Sequence, residues 1–103
     1  MITKQLYGDI FSVTATHATA AVASKAGATD KTHYVTDIAA SSDKAGAILL
    51  VKEGTTVIWQ LQVGAGQSSF QFSTPLKGTS GALVSVEIDG TSACKANLSG
   101  FTV

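Results

Sequence analysis

Short runs of β-branched and aromatic residues recur along this chain at spacings of about 8 to 12 residues, each closed by a glycine or a cluster of Asp, Ser and Thr. No stretch carries a convincing helical period. The clearest of these runs lies in residues 45–63, AGAILLVKEGTTVIWQLQV, where two β-rich segments flank Glu53-Gly54. Gly54 can take the positive φ of a tight turn, so the stretch predicts a hairpin. In its second arm Val57, Trp59, Leu61 and Val63 share one face, and Ile58, Gln60 and Gln62 the other. That period of two predicts a half-buried strand with Trp59 toward the core. The first arm, residues 47–51, is apolar on both faces. Such a strand either lies centrally in a sheet or has its outer face covered.

The same reasoning places further strands in GDIFSVTAT, HATAAVASK, THYVTDIAAS, SSFQFST, ALVSVEID and ACKANLSGFTV. Alanine makes HATAAVASK the most helix-like of them. SSFQFST aligns Phe70 with Phe72 and is expected to end at Pro75, which cannot donate to a ladder. ALVSVEID turns Val84, Val86 and Ile88 inward and Ser85, Glu87 and Asp89 outward. Eight short strands and no helix predict an all-β antiparallel sandwich or jelly roll. With 103 residues there is length for one core, so residues 1–103 read as a single domain.

The glycines of LKGTSGALVSVEIDG raise the question of a phosphate loop. Such a loop needs a helix behind it, whose first N–H groups point at the anion. The residues that follow Gly81 alternate as a strand, and the Lys-Ser/Thr ending of a P-loop is missing. GTSG and DGTS therefore read as turns.

Charged residues make up 14% of the chain, against roughly 25% in an average domain. Seven lysines balance seven acids, and the chain has no arginine. The lysines are spread out, and without the arginine fork nucleic-acid binding is not expected. Low charge suits either a polar, uncharged surface or one partly buried against copies or partners. Cys94 is the only cysteine, which excludes an internal disulfide and reads as a small buried hydrophobe. No run of signal-peptide length opens the chain, and none approaches the roughly 20 apolar residues of a membrane span. A soluble protein made in a cytoplasm and without membrane partners is expected.

Catalytic chemistry finds little to stand on. Ser80 in GTSGA lacks the G-x-S-x-G spacing of a nucleophile elbow. His17 and His33 are the only candidate bases, and no acid at ligand spacing completes a metal site with them. Glu87 and Asp89 sit two apart on one strand face, which reads as a solvated outer surface. A sugar groove would need aromatic residues facing out, whereas the seven aromatics of this chain read as inward, Trp59, Phe70 and Phe72 on period-two apolar faces. Asn97-Leu98-Ser99 fits the glycosylation sequon, a chance match without an export signal. No catalytic residue, metal ligand or cofactor is assigned.

Three features of residues 31–103 carry a resemblance: the strand THYVTDI, the hairpin AILLVKEGTTVIWQ, and the closing FQFSTPLKGTSGALVSVEIDGTSACKANLSGF. This order resembles a group of small phage- and prophage-encoded β-sandwich proteins. They share a Y-V-T strand, a tryptophan hairpin, a PL-x-GT-x-G turn and a final C-x-A/V-N-x-x-G-F/Y. The resemblance implies a jelly roll like that of trimeric tumour-necrosis-factor-like domains and some virion cement proteins. It also implies a non-enzymatic virion component, a capsid decoration protein or head accessory, and transfers no catalytic residues. The expected partners are further copies in a homotrimer, which would cover the second apolar face of residues 47–51, and the major capsid protein. Residues 1–10 are the expected docking arm, with Ile2, Leu6, Tyr7 and Phe11 as contacts, since a free terminus can add a strand to a partner's sheet edge. The rival expectation is a carbohydrate- or receptor-binding module of a phage tail or fibre.

Overall fold

A computed structural model of the chain describes residues 9–103. Eight strands run in order: β1 (Asp9–His17), β2 (Ala20–Lys25), β3 (His33–Ser42), β4 (Ile48–Glu53), β5 (Thr56–Gln62), β6 (Gly66–Lys77), β7 (Val84–Asp89) and β8 (Cys94–Thr102). Among the described residues there is no helix. The strands form two four-stranded sheets, ordered β1-β8-β3-β6 and β2-β7-β4-β5, with every pairing antiparallel. The sheets face each other across one core built from alternate positions of both. Val35 and Ile38 of β3 and Ala96 and Leu98 of β8 meet Leu49 and Val51 of β4 and Val84, Val86 and Ile88 of β7.

Alanine-rich β2 is a strand because tertiary pairing overrides helix propensity. Its ladder with β7 turns Ala21 and Ala23 into the core and leaves Val22 outside. The predicted hairpin is β4–β5, where Glu53 pairs with Thr56 and Gly54 has φ +59°. Positive φ at the first position of a two-residue loop matches the right-handed twist of the strands it joins. Strand β4 lies between β7 and β5, the central position expected for a run that is apolar on both faces.

Alternation fails at two bulges. Against β4, Val51 pairs with Trp59 but Lys52 pairs with Val57, so Ile58 is an extra residue. Trp59 stays on the inner side and Leu61 shares its phase but is 44% exposed at the sheet edge, while Val57 is turned out opposite Lys52, contrary to the single face expected for Val57, Trp59, Leu61 and Val63. Being on an edge strand, Trp59 is half-buried: it closes the open side of the molecule, 5.2 Å from the Phe70 ring and 5.5 Å from that of Phe72 on edge strand β6. Against β8, the extra residue is Thr36 of β3, whose hydroxyl donates to the Ser99 carbonyl at 3.3 Å. Pro75 does not end its strand. It lies inside β6, where the ladder to β3 is interrupted between Gln71 and Leu76, so its missing N–H costs no ladder bond.

Candidate functional site

The residues able to do chemistry are mostly spent on holding the fold. His33 is buried at the start of β3, its Nε2 2.7 Å from the Ala26 carbonyl and its Nδ1 2.7 Å from the Thr102 hydroxyl. A carbonyl only accepts, so Nε2 carries the proton and Nδ1 accepts from Thr102. The ring thus ties the end of β2 to β3 and β8, and it packs edge-on against Phe11 at 5.6 Å. At the β1–β2 turn, Nδ1 of His17 accepts from the amides of Thr19 and Ala20, each at 3.1 Å. Cys94 is buried and its thiol donates to the His17 carbonyl. The GTSG stretch is a loop, held by Gly81 N–H to the Lys31 carbonyl, and the strand β7 follows it.

The acids are tied in the same way. Glu87 and Asp89 project from β7 as expected, each with a lysine: Lys52 lies 3.4 Å from Glu87 and Lys44 2.5 Å from Asp89. Asp89 also accepts from the Ile48 amide at 2.9 Å, and the Lys44 hydrogen bond, followed by that amide, holds its carboxyl below the ordinary range. Asp43 takes the hydroxyl of Ser92 and the amides of Thr91 and Ser92, and these bonds, Ser92 foremost, drive its carboxyl far below the ordinary range. Asp43 clamps the turn after β7, and Asp89 clamps the start of β4. Carboxylates so engaged are poor proton donors and acceptors. Among the described residues no group of three His, Cys, Asp or Glu side chains is placed to hold a metal ion.

Of the four expected docking contacts, Ile2, Leu6 and Tyr7 lie outside the described residues. Phe11 is 7% exposed and belongs to the core, so its side chain offers no surface to a partner. Alternation along β1, which puts Phe11 inside with Val13 and Ala15, is the signal that could have shown this.

Two outer faces remain. On the β2 sheet, Val22, Ile48 and Val57 are 44%, 42% and 41% exposed, with Leu50 half-buried beside Ile48. Glu87 stands between Val22 and Leu50 in the register, and its charge is matched within the face by Lys52. The β1 sheet is different. Along β3 its outer side carries Ala39 and Ser41, and these small residues leave a shallow groove walled by β6 and β8. One stretch of about 400 Å³ runs past Asp37, Gln71 and Asn97, and a second of about 420 Å³ continues past Gln67 and Lys95.

At the Asp37 end Tyr34 and Phe101 stack nearly parallel, 4.8 Å apart and 8° from coplanar. Beside them Ile10, Thr36, Pro75, Gly100 and Phe101 enclose an apolar hollow of about 260 Å³. These two outward, half-buried aromatics correct the expectation that the rings all turn inward. The signal was available: with Cys94, Ala96, Leu98 and Gly100 inward, Phe101 has to face out, and Tyr34 lies opposite it.

No family model matches the chain, and no curated protein matches it. Among solved structures, the crystal structure of FLHE aligns with 91% of this chain and 99% of its own, at a TM-score of 0.47 and 6% identity. A likeness of that degree carries no argument about function.

Proposed function

We propose that this chain is a non-enzymatic structural protein of a virion, a capsid decoration protein of jelly-roll fold that works as a homotrimer. The strand order supports the jelly-roll reading. The ladders join β1 to β8, β2 to β7, β3 to β6 and β4 to β5, the pairing of one long hairpin rolled into two sheets. The virion role rests on the sequence resemblance of residues 31–103.

The observation that carries self-assembly is the outer face of the β2 sheet. Val22, Ile48, Leu50 and Val57 lie there with no second layer over them among the described residues. Val22, Ile48 and Val57 each still show about two fifths of their surface, so completing their burial adds roughly 0.6 to 1.2 kcal/mol apiece. Glu87 and Lys52 already neutralise each other, so covering this face leaves no unmatched charge at its centre. The few remaining charges suit an interface core.

In the proposed mechanism the trimer sits over a junction of the major capsid protein, contacted through residues 1–10. Buried apolar area there opposes the outward pressure of the packaged genome.

The test is the native mass by sedimentation across a wide concentration range, for the unaltered chain and for Leu50→Glu. A trimer that Leu50→Glu converts to folded monomer is the expected result. A monomer at every concentration would overturn trimerisation. A failure to co-sediment with phage heads lacking their own decoration would overturn the virion role.

A further inference from the structure

We propose that the outer face of the β1 sheet is a binding groove for a neutral, hydroxyl-rich glycan chain. The inference is independent of the assembly reading, because it concerns the opposite face of the molecule.

The groove lies on the flat of the sheet and not along its edge. Strand β3 pairs on both sides, with β6 and with β8, so its backbone groups are consumed by the ladders. A ligand lying here is recognised by side chains alone, which disfavours a peptide strand, whose main recognition mode is backbone pairing at an edge. The side chains that reach the groove are amides and hydroxyls: Gln67 and Gln71 from β6, Asn97 and Ser99 from β8. Each amide offers both donors and acceptors, the complement of a sugar hydroxyl, which is also both. Asp37 and Lys95, at opposite ends, are its only charged residues, and the chain has no arginine. This balance favours a neutral ligand over a polyphosphate or a sulfated chain.

Length and polarity agree. From Asp37 to Ser41 the groove follows four residue steps of β3, roughly 13 Å by the rise of a strand, enough for a short run of linked rings. At its Asp37 end the polar wall gives way to the hollow lined by Ile10, Pro75 and Phe101. The Phe101 ring stacks on Tyr34 and lines that hollow with Ile10 and Pro75, so the end of the groove is apolar. A pyranose has hydroxyls around its rim and C–H groups on its faces, so one ligand can satisfy both the amide groove and the aromatic end. An inorganic ion could use only the first, and an aliphatic chain only the second.

The test is a titration of the full chain with maltohexaose, cellohexaose and chitohexaose, followed by backbone amide shifts in heteronuclear NMR spectra. At least one of these probes is expected to shift the amides around Ala39, Ser69, Asn97 and Phe101, and to leave those of Val22 and Leu50 unmoved. Asn97→Ala and Phe101→Ala are each expected to weaken that binding by about fivefold or more, the worth of one net hydrogen bond or one ring contact, while the spectrum stays that of a folded protein. Leu50→Glu, which breaks the proposed trimer, is expected to bind as before. Absence of shifts with all three probes at millimolar concentration would overturn the proposal. So would shifts confined to other surfaces, or affinities unaltered in both groove variants.

Discussion

Replacing His33 with alanine separates a structural histidine from a catalytic one, and its cost can be worked from the contacts. The ring is 1% exposed and makes two hydrogen bonds of 2.7 Å, to the Ala26 carbonyl and the Thr102 hydroxyl. Each is worth about 1 kcal/mol net. Its edge contact with Phe11 adds roughly 0.5 to 1.5 kcal/mol, and the vacated space adds a cavity term. The total is about 3 to 4 kcal/mol, which in a domain of this size lowers Tm by roughly 12 to 30 °C.

Urea unfolding followed by Trp59 fluorescence gives the number directly. His33→Gln is expected to recover part of the loss, since its amide can still donate toward Ala26. Thr102→Val alone is expected to cost about 1 kcal/mol, with a coupling to His33→Ala of similar size in a double-mutant cycle. A cost below about 1 kcal/mol for His33→Ala, or zero coupling to Thr102, would refute the account of His33 as a strut between β2, β3 and β8.

The remaining predictions concern a glycine, two carboxylates and the thiol. A Cβ on Gly100 would collide with the Tyr34 carbonyl oxygen and meet the tip of the Phe11 ring at 2.9 Å. Gly100→Ala is therefore expected to cost at least about 2 kcal/mol by urea unfolding, and a neutral outcome would mean that β3 and β8 part easily there. Asp43 and Asp89 have folded-state pKa values below their unfolded ones, so their contribution is present above about pH 4 and is lost as pH falls toward the folded values. The urea midpoint is expected to be flat from about pH 5 to 7 and to drop below about pH 4, more shallowly in the Asp43→Asn/Asp89→Asn double variant. An unchanged acid limb in that variant would refute the linkage. Cys94 is expected to react with a bulky disulfide reagent only at the rate of unfolding, and rapid labelling of the native chain would show that its burial is incomplete.

What was legible in the sequence was set locally. Val84, Val86 and Ile88 alternate with Glu87 and Asp89 along β7 as the pattern reads, although Ser85, paired between Ser24 and Lys52, is itself buried. Gly54 marks the hairpin because few residues tolerate its φ, and the strand period of the residues that follow Gly81 is enough to exclude a phosphate loop. The rest was set by partners distant in sequence. Pro75 is tolerated inside β6 because the neighbouring ladder is already open there. The acids of β7 read correctly as an outer face, but nothing local showed that Lys44, Ile48 and Lys52 engage them. Phe11 looked available because it sits near the chain start, yet alternation along β1 buries it.

Both candidate surfaces owe their composition to the two bulges, the features that period-two reading cannot see. Strict alternation from Val35 would turn Asp37 inward and Ile38 outward. The extra Thr36 re-phases β3, so that Ile38 is buried and Asp37 joins Tyr34 on the outer side. A single added residue therefore sets an aromatic stack and a polar groove on the same face, end to end. In β5 the extra Ile58 does the converse. It keeps Trp59 inward opposite Val51 and turns Val57 out opposite Lys52, adding a large apolar side chain to the face proposed for self-assembly. Bulges re-aim side chains at little cost when the partner strand keeps its own ladder elsewhere. Here they divide the exterior into one face suited to packing against protein and another suited to hydroxyls, while the core between them keeps its inward pattern.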